Sequence, residues 1–324
     1  MRAPGLSLLL LTACAGQPKI LNDLPVDTGT PAPNDADADT DSDADTDTDT
    51  DTDTDTDTDT DLPPLILDSE TVAGGLNMLR MPSGTFTMGC TPAQEDACFT
   101  DETPAHEVTL SQDFWMGETE VTQAQFESLM GYNPSLFPDC SQCPVNYLTW
   151  HQAAALANAL SAAEGLPACY ECTGDGAAVT CSHQLSPYDC TGYRMPTEAE
   201  WEHAARCETD TRYVGSNNAD EVACYRDSCP DTPLEVASLA PNRCGFYDMS
   251  GNMQELVNDI YDSEAYSNHT AVDPVGPAEG EFAVRRGGTW WDQIREVRVT
   301  SRQWYVFDFL DSHPGVRLAR TAQD

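Results

Sequence analysis

From Asp35 to Asp61 an aspartate occupies every odd position, separated by Ala, Ser and mostly Thr. Fourteen like charges in 27 residues, with nothing apolar larger than alanine between them, repel one another and have no core to collapse around. Folding is therefore confined to the chain after Pro63-Pro64. The run also lacks the glycine and closing glutamate of a calcium loop, so it reads as an extended spacer with diffuse cation affinity. At about 3.3 Å per residue it reaches roughly 90 Å. The expected organisation is a leader over residues 1–13, an acidic spacer over 14–64 and one domain over 65–324.

What precedes the spacer gives it a purpose. Met1-Arg2, an apolar run from Leu6 to Leu11 and then Leu11-Thr12-Ala13-Cys14 resemble a bacterial lipoprotein signal, with an apolar segment too short to span a bilayer. Cleavage before Cys14 would leave that cysteine as the lipidated first residue, and more than one acyl chain gives stable anchoring. The expected location is the cell envelope, held to the membrane through the lipid alone. Ala15 rather than Asp after the cysteine favours the outer membrane in a Gram-negative cell.

Charge excludes one class of partner. The net charge is −40, of which the spacer supplies fourteen units, leaving −26 elsewhere. Nucleic-acid binding needs a basic face, and no such face is expected here. Lys19 is the one lysine, and seven of the fourteen arginines fall between Arg285 and Arg320. Arginine suits fixed bidentate or stacked contacts, so these residues are expected either to pair with internal carboxylates or to bind an anion, the first being favoured.

Setting Cys14 aside leaves twelve cysteines, an even number that in an exported chain favours disulfides over zinc. The short-range pairs expected are Cys90 with Cys98, Cys140 with Cys143 and Cys224 with Cys229. Cys169, Cys172, Cys181 and Cys190 would pair among themselves, leaving Cys207 for Cys244.

Three helices are announced by one device. Thr122 with Gln125, Thr149 with Gln152 and Thr197 with Glu200 form capping boxes, in which each side chain satisfies the other residue's free backbone N–H. The first helix should stop at Gly131 and the second at Gly165. Met78–Met81 and Thr85–Met88 flank Pro82-Ser83-Gly84 and read as a hairpin, with further strands at Val108–Leu110, Phe114–Met116 and Arg295–Thr300. The Gly287-Gly288 pair ahead of Trp290-Trp291 marks a bulge or a close backbone approach. The fold class is α+β, with much irregular structure stapled by disulfides.

Several segments together resemble the formylglycine-generating enzyme (sulfatase-modifying factor) family. They are Pro82 to Gly89, Glu120-Val121-Thr122, Pro144-Val145 with Thr149-Trp150, Arg194 to Glu202, Gly245 to Glu255, Arg286 to Trp290 and Gly315 to Ala319. The resemblance implies a single domain with a C-type-lectin-like core. It also implies calcium, held by the side chains of Asp248 and Glu255 and the carbonyls of Gly251 and Met253; oxygen donors on an irregular loop suit this hard cation.

The family's catalytic members bind copper(I) through two cysteines five residues apart, which follow the Gly-Gly element. Matching places Asp292 and Val297 at those positions. Copper(I) needs soft thiolates, which neither residue supplies, so copper is not expected. No catalytic residue is assigned among the scattered histidines, and His203 is expected to be structural. The function expected is a non-catalytic binding or structural module taking an envelope protein, peptide or glycan. The alternative is an oxidase of the formylglycine-generating type or a related metal-dependent oxidase. The candidate ligand surface is Trp290, Trp291, Arg295, Arg298, Arg302 and Trp304, because aromatic and Arg anchors dominate contact energies.

Overall fold

The structure is a computed structural model that describes residues 63–323 apart from 66, 96 and 185. The leader, Cys14 and the aspartate run lie outside the described residues. Among the described residues no helix is long and apolar enough to cross a membrane.

Strand β1 (Ser69–Val72) pairs antiparallel with β2 (Leu76–Met81). The next two strands, β3 (Gly84–Met88) and β4 (His106–Leu110), pair with each other, and β5 (Phe114–Gly117) returns to β2. The hairpin expected around Pro82-Ser83-Gly84 is therefore absent, because β2 and β3 belong to different sheets. Asp113 accepts from the Ser83 backbone N–H at 2.8 Å, and His203 Nε2 lies 3.0 Å from the Pro82 carbonyl. These contacts hold the linker where the chain leaves one sheet for another, and each strand satisfies its apolar face against a different partner.

Helices α1 (Gln123–Met130) and α2 (Trp150–Ala163) begin at Thr122 and Thr149 with both halves of each capping box formed. Gly131 closes α1 in the left-handed conformation. Between α2 and α3 (Glu198–Arg206) stands a hairpin of β6 (Tyr170–Thr173) and β7 (Thr180–His183), and Thr197 caps α3 in the same way. A short α4 (Ala219–Val222) leads to β8 (Ala223–Cys224), which pairs in parallel with β9 (Ser250–Gly251). The second large sheet is built from β10 (Gln254–Ile260), β11 (Phe282–Arg286), β12 (Arg302–Val306) and β13 (Pro314–Val316), with α5 (Ala265–Asn268) between β10 and β11. Its order is β12-β11-β10-β13, while β14 (Ala319–Thr321) joins β5 and completes the first sheet.

Every residue of β10 is buried. Leu256 faces an apolar cluster with Trp150, Leu160 and Val316, while Val257 faces another with Phe114, Trp201 and Val284. A strand apolar on both faces must be covered on both, so β10 forms the partition between two half-cores. Six disulfides fasten the loops: 90–98, 140–143, 169–190, 172–181, 207–244 and 224–229. Each expected pair is formed, and the group of four resolves into a nested arrangement at the base of the β6–β7 hairpin.

The segment 295–300 is not the expected strand; it runs in turns. Residues 297–300 are all buried, which an alternating half-exposed strand cannot achieve. Arg298 Nε turns back onto the Arg295 carbonyl at 2.8 Å, and the Ser301 N–H bonds the Arg298 carbonyl.

Candidate functional site

The arginines of the C-terminal half meet the glutamates of α3. Helix positions two apart point about 200° from one another and positions four apart share a face, so Glu200 serves its own partner while Glu198 and Glu202 share Arg286. Glu198 takes Arg286 at 2.8 Å and Arg302 at 2.7 Å; Glu202 takes Arg206 and Arg286; Glu200 takes Arg194. Arg286 also lies over the Trp201 ring at 4.8 Å. Burial would raise the Glu198 carboxyl, but Arg302 and Arg286 beside it win and hold it down at about 2. This frame ties β11 and β12 to the helix and fixes the turn that follows β11.

In that turn Gly287 and Gly288 have φ of +90° and +72°. A side chain at Gly288 would start 2.7 Å from the Glu296 carbonyl oxygen, so the glycine pair is both a left-handed turn and a close approach. Beyond it, Asp292 folds back and accepts from the Thr289 N–H at 2.9 Å, while Gln254 Nε2 lies 3.4 Å from the same carboxylate oxygen. Val297 is fully buried among Tyr213, Val222 and Tyr225. The two positions expected to lack copper ligands are thus a loop-capping carboxylate and a core methyl pair. The twelve cysteines of the described residues are all in disulfides, so no thiolate stands nearby to replace them.

The candidate ligand surface is only half a surface. Trp291 and Trp304 are 47% and 53% exposed. Arg295 is also exposed; it stacks 3.9 Å above Phe99 and donates to the Ala97 and Cys98 carbonyls. The other three are corrected to interior positions. Trp290 is buried against Met253 and the 224–229 disulfide. Arg298 forks onto Glu102 at 2.6 and 2.8 Å, and Arg302 forks onto Glu198, leaving only its edge on a cleft. A guanidinium with a buried carboxylate partner costs less inside than one without, and that decides where these two point.

The Asp248–Glu255 loop, where calcium is expected, brings together buried carboxylates. Asp248, with φ of +62°, receives the Ala237 N–H on Oδ2. Glu120 receives the Asn252 side-chain amide and the Met253 N–H. Both oxygens of Glu255 are taken: Oε1 by Arg317 Nη2 at 2.6 Å, and Oε2 by Trp201 Nε1 at 2.7 Å and Arg317 Nε at 2.9 Å. Of the three buried carboxylates only Glu255 bonds the Arg317 guanidinium, whose charge acts on Glu120 and Asp248 at longer range. Burial, with Glu255 adding to it, pushes Asp248 up to about 6; burial, together with Asp248 and Glu255, raises Glu120 well above the usual range. In charge and donor type the loop suits calcium, although Glu255 would share oxygens already bonded to Arg317 and Trp201. Among the described residues no three His, Cys, Asp or Glu side chains converge in a metal-holding arrangement, so backbone oxygens would have to carry much of the coordination.

Beside the Asp292 turn a cleft of about 500 Å³ opens between Tyr261, Trp304, Asp101, Arg285, Asp292 and Gln303. Its residues come from five separate stretches of chain, which is why spacing in the sequence did not single out Asp101, Tyr261, Gln303 or the adjoining Gln254.

Short sheets around an α3 anchor, nested disulfides and a double-glycine turn make this a disulfide-fastened α+β domain. The sulfatase-modifying factor enzyme 1-like domain family matches residues 67–322, and the chain belongs to it. It is 31% identical over 242 residues to the chaperone protein LppX of Paenibacillus barcinonensis, covering 66% of this chain and 82% of that one. With the formylglycine-generating enzyme of Streptomyces coelicolor it shares 28% identity over 284 residues, 75% of this chain and 89% of the enzyme. Among solved structures, Treponema denticola variable protein 1 is similar at a TM-score of 0.69 and 28% identity, over 79% of this chain and 99% of its own.

Proposed function

We propose that this protein is a non-catalytic binding or structural module of the cell envelope, carried on its acidic spacer from a lipid anchor at Cys14, with calcium bracing the Asp248–Glu255 loop. The observation that carries the reading is the donor set around the double-glycine turn: a capping Asp292, a buried Val297 and no unpaired thiol among the described residues. Copper(I) chemistry on a substrate cysteine needs thiolates, and a carboxylate and an isopropyl group do not stand in for them. The similarity to a protein named as a chaperone agrees with a role in holding another molecule rather than oxidising it. Six disulfides suit a chain that matures in an oxidising compartment.

The test is to incubate the domain with copper(I), oxygen and a cysteine-containing sulfatase-type peptide and to weigh the peptide. An unchanged thiol is expected; loss of the thiol with gain of an aldehyde would establish the oxidase reading instead. The anchor is checked on the mature chain, whose N-terminal peptide should carry acyl chains on Cys14; a soluble chain with a free Cys14 thiol would remove it.

A further inference from the structure

Among the described residues, Arg285, a largely covered arginine, holds its carboxylate far more loosely than the fully buried ones do. Arg194, Arg206, Arg286, Arg298, Arg302 and Arg317 each hold a carboxylate at 2.6 to 2.9 Å. Arg285, 18% exposed, has a loose carboxylate contact to Asp311 at 4.0 Å and lies 5.4 Å from the Tyr305 ring centroid. Its Nη2 donates to Gln303 Oε1 at 3.2 Å, and its buried Nε has no partner. The Nε atoms of Arg212, Arg286 and Arg320 are also without partners, but those side chains hold carboxylates at 2.7, 2.8 and 2.6 Å. Burial pushes the Arg285 pKa down, against the more distant Asp292 and Asp311.

The surroundings say what is missing. Gln254, 2% exposed, bonds Gln303 Oε1 through Nε2 at 2.7 Å while its own Oε1 has no partner. The cleft wall also carries three carboxylates, each with one oxygen engaged locally: Asp101 by the Tyr261 hydroxyl, Asp292 by the Thr289 N–H and Glu296 by the Gln293 N–H. Their other oxygens meet no protein donor among the described residues. A cleft offering one under-paired guanidinium beside several acceptors matches a ligand with a carboxylate and an ammonium close together. A polyanion would be repelled by the acidic groups, and a simple cation would leave Arg285 unpaired.

We propose that this cleft binds a free α-amino acid, with its carboxylate on Arg285, its ammonium on Asp292 and its side chain against Tyr261 and Trp304. The proposal rests on the binding-module reading and gives it a ligand class. Arg285 projects from β11, Gln303 from β12 and Gln254 from β10, so the polar floor is set by sheet register and is preorganised.

The test titrates the intact domain with each of the twenty L-α-amino acids, first by thermal shift and then by calorimetry on any that stabilise it. At least one should bind, and its N-acetyl and amide derivatives should each bind at least tenfold more weakly. Arg285→Gln and, separately, Asp292→Asn should weaken the same amino acid at least tenfold. Asp292→Asn retains the cap on Thr289 and so keeps the test open if Arg285→Gln does not fold. No stabilising amino acid, equal binding of the N-acetyl or amide forms, undiminished binding by a folded variant, or preferential binding of glucuronate would each overturn the proposal. Failure here with no aldehyde in the copper assay removes the ligand and leaves the non-catalytic reading intact; aldehyde formation removes that reading itself.

Discussion

The chemistry of this domain turns on single buried charges whose partners lie far away in sequence. Arg298 and Glu102, 196 residues apart, are both fully buried and bonded twice. Removing one partner leaves the other as an uncompensated interior charge, so Arg298→Met should cost about 3–5 kcal/mol in denaturant unfolding, whereas adding Glu102→Gln should recover a substantial part of that loss. Equal losses in the single and double variants would contradict the pairing. Asp259 carries the opposite kind of burden. Burial, with Glu198 next to it, lifts its carboxyl to about 7, although it accepts the Glu198 and Gly276 N–H groups. A raised carboxyl pKa means the folded state binds the extra proton. Its favourable contribution is therefore complete below the unfolded value of about 4 and is lost as pH rises through 7. Melting temperatures at pH 5, 6.5 and 8 should show wild type gaining on Asp259→Asn as the solution is acidified. A gap independent of pH would mean that Asp259 is ionised throughout. Nothing in the spacing of these residues revealed such pairings, because an ion pair across two elements leaves no period in the sequence.

Elements with a local cause were legible. All three capping boxes formed, because Thr and the Gln or Glu three residues later need nothing beyond their own turn. The glycine pair was legible for the same reason: a left-handed backbone is a local demand. The hairpin at Pro82-Ser83-Gly84 was misread because alternation shows that a strand has an inner face but not which strand lies beside it; β2 found β1 and β5, and β3 found β4. The 295–300 segment was misread because its apolar alternation is overridden by the burial of Arg298 and Thr300 around Glu102. The loop from Asp248 to Glu255 carries the prediction at this scale. If calcium relieves the crowding of Glu120, Asp248 and Glu255, millimolar calcium should raise the melting temperature of wild type, and Asp248→Asn should abolish that rise. A wild-type melting temperature indifferent to both calcium and a chelator would show that Arg317 alone is sufficient for the loop.

At the scale of the whole molecule, the proposed function joins an acidic spacer and an expected anchor, both outside the described residues, to a disulfide-fastened domain. The family was readable in the sequence through short motifs in order, and the domain match over residues 67–322 agrees with that reading. The cleft was not readable, since its floor is assembled by the register of β10, β11 and β12. The central claim is that this family member has no copper-thiolate centre. It is tested most directly by titrating the oxidised, folded domain with copper(I) in competition with a chromogenic chelator. The account predicts that the chelator keeps all the metal, as it would against a domain whose cysteines are all in disulfides. Retention of one tightly held copper(I) per domain, lost when the thiols are blocked by alkylation, would contradict it.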